Sequence, residues 1–280
     1  MRSDPEFRPV GVFDSGVGGL SVWREIVRRL PTESTLYFAD QAHVPYGPRP
    51  VDELRRLSEG ITRFFVEHDC KAVVVACNTA SAAALKYLRE TFPTLVVIGM
   101  EPAVKPATAR TRSRVVGVMA TPATFQGRLF QATAGRFAAH VRLVNQVCDG
   151  LAEQVESGVL EGPEVDALLA RFLDPMLAAG ADTVVLACTH YAFLIDAIAR
   201  RAGPGVEVID PAPAIARHLA NLLAAKNLLA ASAQPASHAF VTTGAPPTFD
   251  ALAARLVGTP VRSSAAQWHD DRIEMVSRPG

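Results

Sequence analysis

Lysine is nearly absent: it stands only at Lys71, Lys86, Lys105 and Lys226, so arginine supplies almost all of the 28 basic residues. The 28 Asp and Glu residues balance them, leaving a formal net charge of +0. A chain with no net field has little to steer it onto nucleic acid or an anionic membrane, which argues against nucleic-acid binding as a main role. No run of about 18 apolar residues is available to span a bilayer. The opening MRSDPEFRPV has no apolar core of the length a secretory signal needs. A cytoplasmic protein with no membrane partner is expected. Cysteine is sparse as well, at Cys70, Cys77, Cys148 and Cys188 with no paired CxxC spacing. That argues against a disulfide scaffold or a zinc site, and reduced thiols are expected. What the chain has in quantity is apolar residues, 49% against 20% charged. Its 280 residues suit about two compact units, each able to close a core.

Short β-branched runs bounded by turn residues alternate with amphipathic stretches, a rhythm that predicts an α/β protein with parallel sheets covered on both faces by helices. Lys71–Ala76, Leu95–Ile98, Val115–Met119, Thr183–Ala187 and Val206–Ile209 read as buried strands. Leu20, Trp23, Ile26, Val27 and Leu30 mark one helical face, and Leu54, Leu57, Ile61, Phe64 and Phe65 another. Further on, 211–226 reads as a helix opened by prolines, 238–243 as a strand and 249–256 as a helix, with a polar tail from about Gln267. An internal echo runs through this pattern. VVVACNT (73–79) recurs as VVLACTH (184–190), and GVFDS (11–15) recurs as GVMAT (117–121) at nearly the same offset. Two similar halves are expected, each presenting a strand end and a cysteine. The segment after residue 210 is no third copy and most simply returns to complete the first half. The expected domains are therefore 1–100 plus 210–280, and 101–209.

Cys77 and Cys188 directly follow strands, at the carboxyl ends where parallel α/β sheets bind ligands. Each precedes residues that begin a helix, whose N-terminal dipole is expected to lower a thiol pKa from about 8.5 toward neutrality. Cys70 and Cys148 lack that polar strand-end context and read as small buried hydrophobes. Asn78-Thr79 and Thr189-His190 place amide, hydroxyl and imidazole groups beside the two thiols. Residues 11–19 form a strand and a glycine-rich turn whose N–H groups can approach a carboxylate or phosphate. No GKS or GKT follows it, so a nucleoside triphosphate is not expected. The loop 40–47 is shaped by Pro45 and Gly47, and its Tyr46 offers a hydroxyl.

DSGVGGLSV (14–22), YFADQAHVPYG (37–47), ACNTAS (76–81) and ACTHY (187–191), with TTG (242–244) near the end, together resemble the glutamate racemases of the aspartate/glutamate racemase superfamily. The likeness runs from about residue 9 to 256. It implies two similar α/β domains related by pseudo-symmetry with the active site between them, glutamate as substrate, no cofactor and no metal. The implied product is D-glutamate for bacterial peptidoglycan, and a homodimer is compatible with it.

Racemising an amino acid without a cofactor means removing a weakly acidic α-proton and returning one to the opposite face, which one base cannot do for a held substrate. By resemblance, Cys77 serves the D face and Cys188 the L face, with Asp14 and His190 tuning proton transfer. The matched substrate-holding positions are Asp14, Ser15, Tyr46, Gly47, Asn78, Thr79, Thr189 and His190, with Thr121 a weaker candidate. The chain departs from the family at Ala192-Phe193, where proline usually follows Tyr191. It also departs around Cys148, at Ala120 where glycine is usual, and at Gln41 where threonine is common. These changes touch the second domain and the surroundings of Glu156 but neither Cys77 nor Cys188. The nearest rivals are an aspartate racemase and a one-cysteine decarboxylase of the same fold. A cysteine hydrolase would need a group to orient His190, and nothing in the sequence resembles one. A non-enzymatic small-molecule-binding or protein-inhibitor module is, given the intact cysteine pair, a side role at most.

Overall fold

A computed structural model describes residues 8–101, 103–230 and 236–276; the first seven residues of the opening segment lie outside the described residues. The strands run in chain order as β1 (Val10–Asp14), β2 (Thr35–Ala39), β3 (Ala72–Val75) and β4 (Val96–Gly99), then β5 (Val115–Ala120), β6 (Arg142–Val147), β7 (Thr183–Ala187) and β8 (Glu207–Ile209), and finally β9 (His238–Thr242), β10 (Ser263–His269) and β11 (Arg272–Met275). They build two sheets among the described residues. One has the order β11-β10-β9-β2-β1-β3-β4 and the other β6-β5-β7-β8. All pairings are parallel except β10 with β11. The mixed α/β class with parallel sheets in two domains is as the sequence predicts.

The echo in the sequence is an echo in register. The order β2-β1-β3-β4 in one sheet matches β6-β5-β7-β8 in the other. Gly11 pairs with Val73 across β1 and β3, and Gly117 pairs with Val184 across β5 and β7. Both glycines are there for the same reason. A Cβ on Gly11 would sit 2.7 Å from the Phe65 ring of the helix Val51–Glu67, and one on Gly117 would sit 2.5 Å from Met176 Sδ of the helix Pro163–Ala178. Each helix crosses over between equivalent strands, and the missing side chain lets it lie close against the sheet.

The predicted helical faces are buried: Leu20, Trp23 and Ile26 in the helix Leu20–Arg29, and Leu54, Leu57, Ile61, Phe64 and Phe65 in Val51–Glu67. The helix Ala212–Ala225 and the strand β9 also fall where the sequence places them. Strands β2, β6, β10 and β11 are not among those the sequence predicts. The polar tail from Gln267 is a strand pair, β10 and β11, extending the larger sheet; Ala266 and Ile273 are buried, and Trp268 packs on the helix Val51–Glu67. β6 was not legible because it is an edge strand with no fully buried residue, so no continuous apolar run marks it. No helix among the described residues is long and apolar enough to cross a membrane.

Candidate active site

The carboxyl ends of β1 and β3 from one sheet and of β5, β6 and β7 from the other converge on a cavity of about 500 Å³, a size suited to a small molecule. It is lined by Ser15, by Cys77, Asn78 and Thr79 after β3, and by Cys188, Thr189 and His190 after β7. Tyr46, Gly47 and Thr121 complete the set of predicted residues at its wall. Asp14 is not at the wall. It is wholly buried behind the glycine-rich turn, its Oδ2 accepting from the Gly16 and Gly19 N–H groups at 3.3 and 3.0 Å.

Three polar features of the wall bear on binding. Both amide atoms of Asn78 are buried with no partner among the described residues, an unusual cost for a native side chain unless a ligand satisfies them. Thr79 and Thr121, one from each half, share a hydroxyl hydrogen bond of 2.9 Å across the cleft. Among the described residues no lysine or arginine lines the cavity. Tyr46 corrects an expectation, since its hydroxyl donates to Asp40 Oδ2 at 2.6 Å and so is not a free donor for a ligand. Cys148 corrects another: it directly follows β6 and lines the same cavity, so it does stand at a strand end. The unrecognised strand β6 concealed it.

The glycine-rich turn was expected to receive a ligand's carboxylate, and it holds a protein carboxylate. Val17 N–H donates to Glu156 Oε1 at 2.8 Å, and that oxygen also bonds His190 Nε2 at 2.7 Å. The other imidazole nitrogen, Nδ1, lies 3.6 Å from Cys188 Sγ. A Cβ on Gly16 would fall 1.9 Å from Glu156 Oε1, and one on Gly18 would fall 2.5 Å from His190 Nδ1. The turn is therefore bare of side chains where the second half docks onto it. Glu156 orients His190, and His190 contacts Cys188, forming a chain of groups that no local spacing in the sequence announces.

Electrostatics separates the thiols. Cys77 caps the helix Asn78–Thr91, its Sγ accepting from Ala80 N–H at 3.5 Å. Burial nonetheless pushes the thiol well up, followed by the Asp14 charge, and the Ala80 N–H offsets only part of this. The expected lowering by the helix terminus is thus reversed, because desolvation of a fully enclosed thiolate outweighs one turn of dipole. Cys188 is followed by a 3₁₀ segment, Thr189–Leu194, and not by an α-helix. Burial opposes charge on His190, but its contacts with Cys188 and Glu156 prevail and raise the imidazole well above its ordinary value. Burial likewise opposes charge on Glu156, yet the His190 contact and Val17 N–H keep its carboxyl below the usual range. Asp14 is raised by burial, with His190 counteracting. Burial takes Cys70 up to about 12 and Cys148 up as well. Among the described residues no group of three or more His, Cys, Asp and Glu side chains is arranged to hold a metal.

Fold and site define a two-domain α/β protein whose cleft carries a thiol at the end of the equivalent strand in each sheet. The chain belongs to the Asp/Glu/Hydantoin racemase family, whose model matches residues 10–219. The glutamate racemase of Stutzerimonas stutzeri (strain A1501) is 51% identical over 238 residues, 85% of this chain and 89% of that one. A solved glutamate racemase from Bacillus anthracis superposes with a TM-score of 0.84 at 33% identity, over 93% of this chain and 97% of that one. One from Francisella tularensis, in complex with D-glutamate, gives 0.83 at 26%, over 94% and 98%.

Proposed function

We propose that this chain interconverts L- and D-glutamate by a two-thiol acid/base mechanism without cofactor or metal, in the cytoplasm, and that its D-glutamate serves peptidoglycan synthesis. The observation that carries the reading is the cavity flanked by Cys77 and Cys188 at the ends of equivalent strands, β3 and β7. The relatives named glutamate racemase over most of both chains supply the substrate. The proposed domains are 1–100 plus 210–280 and 101–209, a division supported by the membership of the two sheets.

In the L-to-D direction a Cys188 thiolate removes the α-proton and the Cys77 thiol delivers its own proton to the opposite face, so one thiol gains what the other loses. The reverse reaction exchanges the roles. A high resting pKa suits Cys77 to this, since the enclosed thiol enters loaded with the proton it donates. His190 lies where it can accept the Cys188 proton, with Glu156 balancing the resulting charge. Asp14, beside Cys77 in the electrostatics of the site, tunes that thiol. The substrate carboxylates meet neutral donors: the unpaired Asn78 amide, the Ser15, Thr79 and Thr189 hydroxyls, and backbone N–H groups near Tyr46 and Gly47. The test is solvent deuterium uptake at Cα of L- and D-glutamate, with aspartate as comparison, after dialysis against chelator and with no cofactor added. Uptake in both glutamate enantiomers is expected; exchange of aspartate alone, or only after pyridoxal phosphate or a divalent ion is restored, would refute the reading.

A further inference from the structure

The cavity wall formed by the loop 44–48 is held from behind by a single carboxylate. Asp40 is wholly buried, at the end of β2, and donors from three separate parts of the chain converge on it. Tyr46 donates its hydroxyl to Oδ2 at 2.6 Å, and His43 Nδ1 lies 3.0 Å from the same oxygen. Thr243, just after β9, donates its hydroxyl to Oδ1 at 3.0 Å. The fourth donor is the indole Nε1–H of Trp268, on β10, at 2.7 Å from Oδ1. A buried carboxyl group needs hydrogen-bond partners to replace its lost water, and bonds of this length are well formed.

Trp268 reaches Asp40 because the helix Val51–Glu67 has a gap for it. A Cβ on Gly60 would lie 2.6 Å from the indole Cζ3. Glycine in the middle of a helix is less favourable than alanine, so its presence there is explained by the space the indole occupies. The ring also packs edge-on against His43 at 5.4 Å. The terminal strand pair is therefore joined to the cavity through one chain of contacts: Gly60 admits Trp268, Trp268 holds Asp40, and Asp40 holds Tyr46.

We infer that Asp40 and Trp268 are positioning residues for the substrate cavity: Asp40 fixes the Tyr46–Gly47 wall, and Trp268 of the C-terminal strand pair fixes Asp40. The inference rests on the glutamate reading for its kinetic consequence but not for its structural one. With the indole donor removed, Oδ1 loses its shortest bond, the carboxylate is held by Tyr46, His43 and Thr243 alone, and the Tyr46 wall is less firmly fixed. Substrate binding suffers while proton transfer between the thiols, on other elements, does not.

Trp268→Phe keeps an aromatic ring near Gly60 and removes the N–H. Its KM for glutamate is expected to rise about five- to tenfold in both directions with kcat within about twofold. Arg56→Gln serves as control: it breaks the 2.8 Å ion pair from the helix Val51–Glu67 to Asp271 beside β11, without touching Asp40, and should leave KM unchanged. The second readout needs no substrate. The chain has two tryptophans, and Trp23 donates elsewhere, to Thr35 Oγ1. In ¹H–¹⁵N spectra of the full chain, Tyr46→Phe should move the indole signal of Trp268 through the shared carboxylate and leave that of Trp23 in place. An unmoved Trp268 signal, an unchanged KM in Trp268→Phe, or an equal rise in Arg56→Gln overturns the inference. Should the wild-type chain fail to racemise glutamate, the functional reading falls and the indole signal alone decides the coupling.

Discussion

Replacing Glu156 by glutamine tests the connection between the two halves most directly. Glutamine keeps an oxygen for the Val17 N–H and nearly the same volume against Gly16, but removes the charge 2.7 Å from His190 Nε2. Two unit charges at that distance attract by about 6 kcal/mol at an effective dielectric constant of about 20. Desolvation of the enclosed pair takes back part of it, leaving roughly 2 to 4 kcal/mol, which acts to raise the imidazole pKa. The pH dependence follows from the two directions of shift. His190 is raised in the folded protein, so its contribution is full below the unfolded value of about 6.5 and is lost as pH rises through the folded one. Glu156 is lowered, so its contribution is full above about 4.3 and is lost as pH falls through its folded value. The pair therefore stabilises most between about pH 4.5 and 6.5. Glu156→Gln should cost roughly 2 to 4 kcal/mol in urea unfolding at pH 5.5 and progressively less in alkaline buffer. An NMR titration of the imidazole should place the His190 midpoint lower in the variant. An unchanged midpoint, or a stability gap independent of pH, would refute the account of Glu156.

The two sheet glycines should differ in tolerance. Gly11→Ala meets the rigid Phe65 ring and Gly117→Ala the flexible end of Met176, so thermal unfolding should show a cost of about 1 to 3 kcal/mol, larger for Gly11; equal or reversed costs contradict the packing argument. Thr79→Val and Thr189→Val should each lower kcat/KM by the equivalent of about 1 to 2 kcal/mol, and full activity in both would remove them from the substrate site. Cys77→Ser and Cys188→Ser should fold and bind glutamate yet racemise very slowly, because serine supplies no populated anion near neutral pH. With N-hydroxyglutamate of defined configuration, whose elimination needs one base, Cys77→Ser should process the L form and Cys188→Ser the D form. A shared preference for one enantiomer would end the facing-thiol mechanism.

Local pattern carried much of this protein. Strands such as Val73–Ala76 and Val184–Ala187 are legible because a parallel strand buried on both faces must be apolar throughout, and the paired Ala-Cys sequences mark their carboxyl ends whatever the rest of the chain does. The resemblance of the motifs then pointed to Cys77, Cys188 and most of the cavity wall. What only the tertiary structure decided are contacts between residues far apart in the chain. Val17 and Glu156 are 139 positions apart, and Asp40 and Trp268 are 228 apart. Whether a carboxylate finds such a donor depends on which elements cross and in what register, and nothing in its own neighbourhood encodes that. Strands β6 and β11 are hard to read for a related reason, since edge strands carry polar residues that resemble loop or tail, and Cys148 goes with β6. The upward shift of the Cys77 thiol is not legible in the sequence because a helix terminus is visible there, whereas the depth of burial that overrides it is a property of everything packed around the thiol.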